Sequence, residues 1–280
     1  MQEVAIIGAS ELGGAVAHAL ARSNLVRSIR IIDEAARVAT GKALDIAESA
    51  PVEGFSTRLS GGSDVSMAAG ASIVIIADRI GGGEWQGEDG LLLLKRLMQT
   101  ARGSVILCAG ASQRELVERG VRELKFSRTR LFGSAPESLA GAARALVALT
   151  INGSPRDIAL SVLGVPPGHT VIPWGDATAG GFSLTRLVDE PTRRRLSARV
   201  NALWPTGPYS LAAAATAVVE CMVGRSRRVV SAFVAPDLSM GSQTRTAALP
   251  VRLAPAGIVE VVLPSLSAVE QVALDNAMML

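Results

Sequence analysis

The feature that most constrains this chain is a succession of short, almost unbroken apolar runs in its first half. EVAIIG, SIRIID, TRLSG, ASIVIIAD, GSVILCAG and RLFGS are spread over residues 1–134, with helix-like stretches between them. A strand with one solvated face alternates apolar and polar residues, whereas a strand that is apolar at nearly every position is covered on both faces. Such strands alternating with helices predict a parallel sheet sandwiched by helices, a doubly wound α/β unit. From about residue 140 the rhythm changes. DIALSVLG reads as an alternating strand, and RRRLSARVNALW as a helix with Leu196, Val200 and Leu203 on one face. A buried, alanine-rich helix follows. VVSAFVA, AALPVRL and GIVEVVL read as strands, the last two joined by the hairpin-like turn APAG, and Ser267 caps a final short helix, AVEQVALDNAMML. The expected organisation is a doubly wound unit over 1–138 and a mixed α/β unit over 139–280. Neither repeats nor a low-complexity linker separate them, so the two share an interface.

A chain of 280 residues buries about three quarters of its unfolded surface and needs neither disulfides nor metals to hold a core. Apolar residues make up 49% of it and the mean hydropathy is +0.34. Still, no run reaches the roughly 18 uninterrupted apolar residues of a membrane span, and SLAAAATAVVECMV is broken by Glu220. The start, MQEVAIIGAS, lacks a basic region ahead of an apolar one, and the only cysteines are Cys108 and Cys221. A reduced, cytoplasmic setting is expected. The net charge is only +3, and the pI of 9.3 reflects arginine, with lysine at positions 42, 95 and 125 alone. The clusters RRR (193–195) and RSRR (225–228) have no interleaved aromatics and read as solvated surface rather than a nucleic-acid face. Neither a membrane nor a nucleic acid is an expected partner, and no metal-ligand set is assigned.

VAIIGASELGGAVAHAL has the order strand, glycine-rich turn, helix. Gly8 permits the tight turn and Gly13 lets the helix pack on the strand, with a pyrophosphate placed at the helix N-terminus. Ser10 stands at the middle position of G-x-G-x-x-G and carries a Cβ where backbone should approach the phosphates. Glu11 suits the helix dipole but repels a pyrophosphate. Asp33, ending the second strand 25 residues after Gly8, is placed to accept hydrogen bonds from an adenosine ribose and selects NAD over NADP. The expected cofactor site is Gly8, Ser10, Glu11, Leu12, Asp33 and Ala77. His18 falls on the polar side of the first helix, and a Tyr-x-x-x-Lys dehydrogenase is excluded because Ala213 follows the sole tyrosine, Tyr209, at that spacing.

IIDEAARVATGKALDIAESAPVEGF is more specific. It resembles the NAD-dependent lactate/malate dehydrogenase family, in which an Asp-ended second strand leads into a G-K-A-x-D-L helix and a P-V-E-G turn. The likeness continues through SIVIIAD, TGPYSLAAAATAVVECMV, ALPVRL and VVLPSLSAVEQVALDNA, with the final helix cut short. It implies a Rossmann-type domain binding NAD, a substrate domain, and a homo-oligomer pairing through the helix around Lys42 to Ala47. Family chemistry is hydride transfer between nicotinamide and a 2-hydroxy or 2-oxo acid, with a His–Asp pair moving the proton and arginines holding the acid.

Carried over position by position, the resemblance puts Gly81 or Gly82 and Gly87 at the two loop-arginine positions, and Gly110 at the Asn after strand five. Arg144 and Asp157 set the register of the L-D-x-A-R segment, placing Leu139 at its Asp and Ala142 at the clamping Arg. The same register puts Pro166 at the catalytic His and Gly168 at the Asp of G-x-H-G-D. His169, three residues on, is the one candidate replacement. Two expectations follow. One is a dinucleotide-binding member with lost or altered catalysis. The other is an active NAD oxidoreductase on a 2-hydroxy or 2-oxo acid or a less charged carbonyl compound. Whether the glycine-rich segment 79–90 closes as a lid anchored by Trp85 is open at this level.

Overall fold

The computed structural model describes residues 2–237 and 244–280. In its first half β1 (Glu3–Ile7), α1 (Glu11–Arg22), β2 (Ser28–Ile32), α2 (Ala36–Glu53), β3 (Arg58–Gly62) and β4 (Ile73–Ile76) succeed one another. A two-residue hairpin, β5 (Asp78–Arg79) with β6 (Gly83–Glu84), precedes α3 (Gly87–Thr100), β7 (Val105–Cys108), α4 (Arg114–Arg122) and β8 (Leu131–Gly133). The six longer strands pair in parallel in the order β3-β2-β1-β4-β7-β8. Their alternation divides the core. Val4, Ile6, Ile29, Ile31, Ile73 and Ile75 face one cluster, where α1 and α2 pack, while Ala5, Ile7, Ile32, Val74 and Ile76 face the other, with Leu94 and Leu97 of α3 and Val117 of α4. Both faces are buried, as the near-continuous apolar runs require.

The second half begins with α5 (Ala135–Ile151) and continues through β9 (Ile158–Ala159), β10 (Leu163–Val165), β11 (His169–Val171), β12 (Thr178–Ala179) and β13 (Phe182–Ser183). Next come α6 (Leu184–Leu187), α7 (Glu190–Asn201), α8 (Pro208–Met222), β14 (Val230–Val234), β15 (Ala247–Ala254), β16 (Gly257–Val261) and α9 (Ala268–Ala277). The main sheet does not stop between the halves: β14 pairs with β8 through Phe233 and Gly133, and β15, β10 and β11 extend it antiparallel. Ser267 caps α9 in a reciprocal box with Glu270. No helix among the described residues is long and apolar enough to cross a membrane.

Two local readings are corrected by the fold. DIALSVLG is not one strand: β9 joins a separate small sheet with β12 and β13, and β10 joins the main sheet. The Ser231 hydroxyl accepts the Val162 amide at 2.9 Å at the break between them. Leu203 lies beyond the end of α7 and is 43% exposed, whereas Leu196 and Val200 are buried. The arginines 193–195 are engaged locally and partly solvated, Arg193 donating to the Val188 carbonyl at the end of α6, Arg194 pairing with Glu190 and Arg195 donating to Thr192 within α7. Cys108 and Cys221 are both free and buried.

Candidate functional site

The chain leaves β1 toward β2 on one side and reaches β4 on the other, so the crevice above the C-terminal ends of these strands is where an open α/β sheet takes its ligand. Gly8, with φ +112°, turns the chain there, and its amide donates to the Ile32 carbonyl at 2.7 Å. A Cβ on Gly8 would stand 2.3 Å from the Asp78 carbonyl oxygen, and one on Gly13 would stand 2.1 Å from the Gly8 carbonyl oxygen. Both glycines are therefore demanded by the protein's own packing. Ser10 is the N-cap of α1 but makes no side-chain cap, and Glu11 is exposed in the first turn. Leu12 and Ala77 bury their side chains in the core.

The N-terminus of α1 presents N–H groups and the positive end of a helix dipole, the arrangement that attracts an anion. Here a carboxylate of the same chain meets them. Asp78 Oδ2 accepts from the Leu12 amide at 3.2 Å and Oδ1 from the Gly13 amide at 3.0 Å. The Asp78 main-chain carbonyl also accepts from the Ser10 amide at 3.2 Å.

Asp33 ends β2 as expected, but it too is turned into the protein, only 6% exposed. Its Oδ2 accepts from Ala9 at 2.9 Å and Ile80 at 3.1 Å, and its Oδ1 from Ala35 at 2.9 Å. Across the crevice Glu84 Oε1 accepts from Ala111 at 3.0 Å and Oε2 from Ser112 at 2.7 Å. Burial pushes the Glu84 carboxyl above the ordinary glutamate range, the two amides pull it back, and the charge of Asp78 adds to the rise. Burial, with the Glu84 charge behind it, also pushes the Cys108 thiol up. A Cβ on Gly110 would lie 2.3 Å from Glu84 Oε2. The start of the segment whose behaviour the sequence left open, between a closing lid and a disordered loop, is thus a hairpin docked on the crevice. Arg79 lies 4.2 Å over the Trp85 ring and pairs with Asp89 at 3.3 Å, fixing the outer side of the hairpin. What remains open beside Asp33 is a cavity of about 250 Å³ lined by Glu34, Arg79, Trp85, Leu92 and Arg96. That is smaller than the ~300–1,000 Å³ of ordinary ligand pockets.

The second-half positions that the resemblance assigned to catalysis, Leu139, Ala142, Pro166 and Gly168, carry no charged side chain. Leu139 is wholly buried in an apolar cluster with Ala140, Ala143 and Val147, and Ala142 is part-buried. Arg144, the arginine that set the register, is spent on the buried Glu137 at 2.6 Å and on the Leu160 carbonyl at 3.4 Å. Glu137 also accepts from the Ser231 amide at 2.9 Å, so this pair locks α5 to β14. Pro166 is buried and Gly168 exposed in the turn joining β10 to β11. His169 opens β11, on the edge strand opposite β3, with an exposed side chain and no hydrogen bond or ion pair among the described residues. His18 lies on the exposed face of α1, as expected, and meets Glu53 of α2 at 2.7 Å.

Asp78 and Glu84 were not singled out by sequence reasoning. The available signal was an acidic residue placed directly after the apolar run of β4, where the chain must pass α1.

No family model matches the chain. Curated relatives do: it is 24% identical to a malate dehydrogenase of Salinibacter ruber over 98% of this chain and 93% of the relative. It is 29% identical to a malate dehydrogenase of Thioalkalivibrio sulfidiphilus over 84% of this chain and 82% of the relative. Among solved structures, the Salinibacter ruber malate dehydrogenase superposes with a TM-score of 0.88 at 23% identity, covering 98% of this chain and 93% of that one. The lactate dehydrogenase of Cryptosporidium parvum, solved with lactic acid and β-nicotinamide adenine dinucleotide, superposes with a TM-score of 0.85 at 18% identity, covering 99% and 94%.

Proposed function

Because this chain belongs to the lactate/malate dehydrogenase family, we propose that it is a member in which turnover of malate or lactate is lost or altered, and which acts as a binding, sensing or assembly protein. NAD is the cofactor that family membership brings to it, and Asp33 at the end of β2 is the group this reading assigns to the adenosine ribose, although its oxygens now hold the amides of Ala9, Ala35 and Ile80. The pyrophosphate is a different matter. In the arrangement described, the amides that would receive it are held by Asp78, so the residues do not fit that part of the cofactor until Asp78 leaves.

The observation that carries the loss of chemistry is Leu139, wholly buried among apolar side chains where the family's L-D-x-A-R motif has its carboxylate. A neutral, buried alkyl group neither orients an imidazole nor stabilises an imidazolium. A positioned acid/base contributes about 10²–10⁴-fold and each charged donor at a developing charge about 10²–10³-fold, acting as a unit rather than as independent factors. With Ala142, Pro166 and the loop glycines also neutral, the positions that the resemblance gives to proton transfer and acid clamping are filled by residues that do neither, and His169 is the one candidate replacement. A homo-oligomer through α2 is part of the proposal, supported by Leu44 and Val52 standing 58% and 89% exposed on that helix; sedimentation equilibrium tests it.

The deciding experiment follows nicotinamide absorbance with a panel of 2-oxo acids, ketones and aldehydes. No turnover is expected. Saturable turnover that disappears in His169→Ala would overturn the proposal and favour an oxidoreductase acting on a less charged carbonyl substrate.

A further inference from the structure

We propose that the hairpin Asp78–Glu84 is an internal occupant of the nucleotide crevice, and that its two carboxylates set how tightly any dinucleotide binds. The inference rests on the reading of NAD as the cofactor, and it concerns residues that reading does not assign.

The hairpin is tied to the crevice at every edge. Asp78 holds the amides of Leu12 and Gly13 on α1, the Ile80 amide donates to Asp33 at the end of β2, and Glu84 holds Ala111 and Ser112 beyond β7. A phosphate group seated on α1 needs the same N–H groups that Asp78 uses, because a helix N-terminus offers only a few unpaired donors. Both carboxylates bond two amides apiece, which is what an anion-binding turn offers a ligand and not what a free lid would do. Charge acts in the same direction. Glu11, Asp33, Asp78 and Glu84 surround the crevice, while Arg79 is engaged with Asp89 and Trp85. An incoming pyrophosphate therefore meets negative charge until the hairpin lifts.

When the competent form is a minor population, apparent affinity falls by that fraction. Weakening the internal contact must then tighten binding. The test is calorimetric titration of the full chain with NADH, and separately with inorganic pyrophosphate, for the unaltered protein, Asp78→Ala, Asp78→Asn and Glu84→Gln. Asp78→Asn keeps an acceptor at α1 and serves where Asp78→Ala fails to fold, as thermal melts report. Both Asp78 variants are expected to bind NADH about tenfold or more tightly than the unaltered chain, with Glu84→Gln between. Amide exchange at Leu12 and Gly13 should be slow in the unaltered protein, fast in Asp78→Ala, and slow again when NADH is added. Equal affinities across the series would overturn the inference and leave the cofactor reading standing. No binding by any of the four at millimolar NADH would overturn both.

Discussion

Replacing Asp33 separates a carboxylate kept for a ligand from one that the fold itself requires. Its two oxygens accept three backbone amides, from Ala9, Ala35 and Ile80, at 2.9, 2.9 and 3.1 Å. Hydrogen bonds to an ionised group contribute about 1.5–3 kcal/mol each to stability. The three do not simply sum. Ala35 and Ile80 are partly exposed and regain water when the carboxylate is removed, whereas Ala9 is fully buried and its amide does not. Asp33→Ala should therefore cost about 3 kcal/mol, and Asp33→Asn, which retains one oxygen acceptor, about half of that. With a urea m-value of about 3 kcal/mol per molar, the midpoint of unfolding falls by about 1 M for the alanine variant. The assay is urea denaturation followed by far-UV circular dichroism with no nucleotide present. A carboxylate held in reserve for a ribose would leave that midpoint unchanged, so a shift below about 0.3 M refutes the structural role assigned to Asp33.

Gly13→Ala should destabilise the chain by about 1–3 kcal/mol with or without nucleotide, because its Cβ would lie 2.1 Å from the Gly8 carbonyl oxygen; thermal melts with and without NADH check this. Glu118 links α4 to the segment before β15, accepting from Arg245 at 2.7 Å and the Thr246 amide at 3.0 Å. Burial raises its carboxyl, but those hydrogen bonds and the charges of Arg122 and Arg245 outweigh burial and hold it below the ordinary glutamate range. A depressed carboxylate contributes stability above its unfolded pKa and loses it as pH falls through the folded one. Glu118→Gln should then cost about 2 kcal/mol at pH 7 and less as acid is added, read from urea midpoints between neutral pH and the acid limb.

Much of the architecture was legible in the residues. Apolar runs such as IVII in β4 leave no solvated face, which dictates a parallel sheet covered on both sides. The proposal that the chemistry is lost comes from the same reading, since Leu139, Ala142 and Pro166, the residues that the resemblance puts at catalytic positions, carry no titratable group in any conformation. DIALSVLG misled because period-two alternation holds only for its first half, where exposed Ala159 lies between buried Ile158 and Leu160, while β10 is buried at every position and the Val162 amide at the change of sheet is taken by Ser231, far along the chain.

What the sequence by itself determined is the fold and the family resemblance, both of which depend on local pattern and side-chain type. Only the tertiary structure decided what the remaining carboxylates do. Asp78 and Leu12 are 66 positions apart, and Asp33 and Ile80 are 47 apart. Whether an acidic residue awaits a ligand or satisfies the protein's own amides is a matter of which N–H groups the folded chain brings within hydrogen-bonding distance of it. In this protein the glycine-rich turn, the strand-end aspartate and the start of α1 are all present, and the chain's own hairpin meets them first.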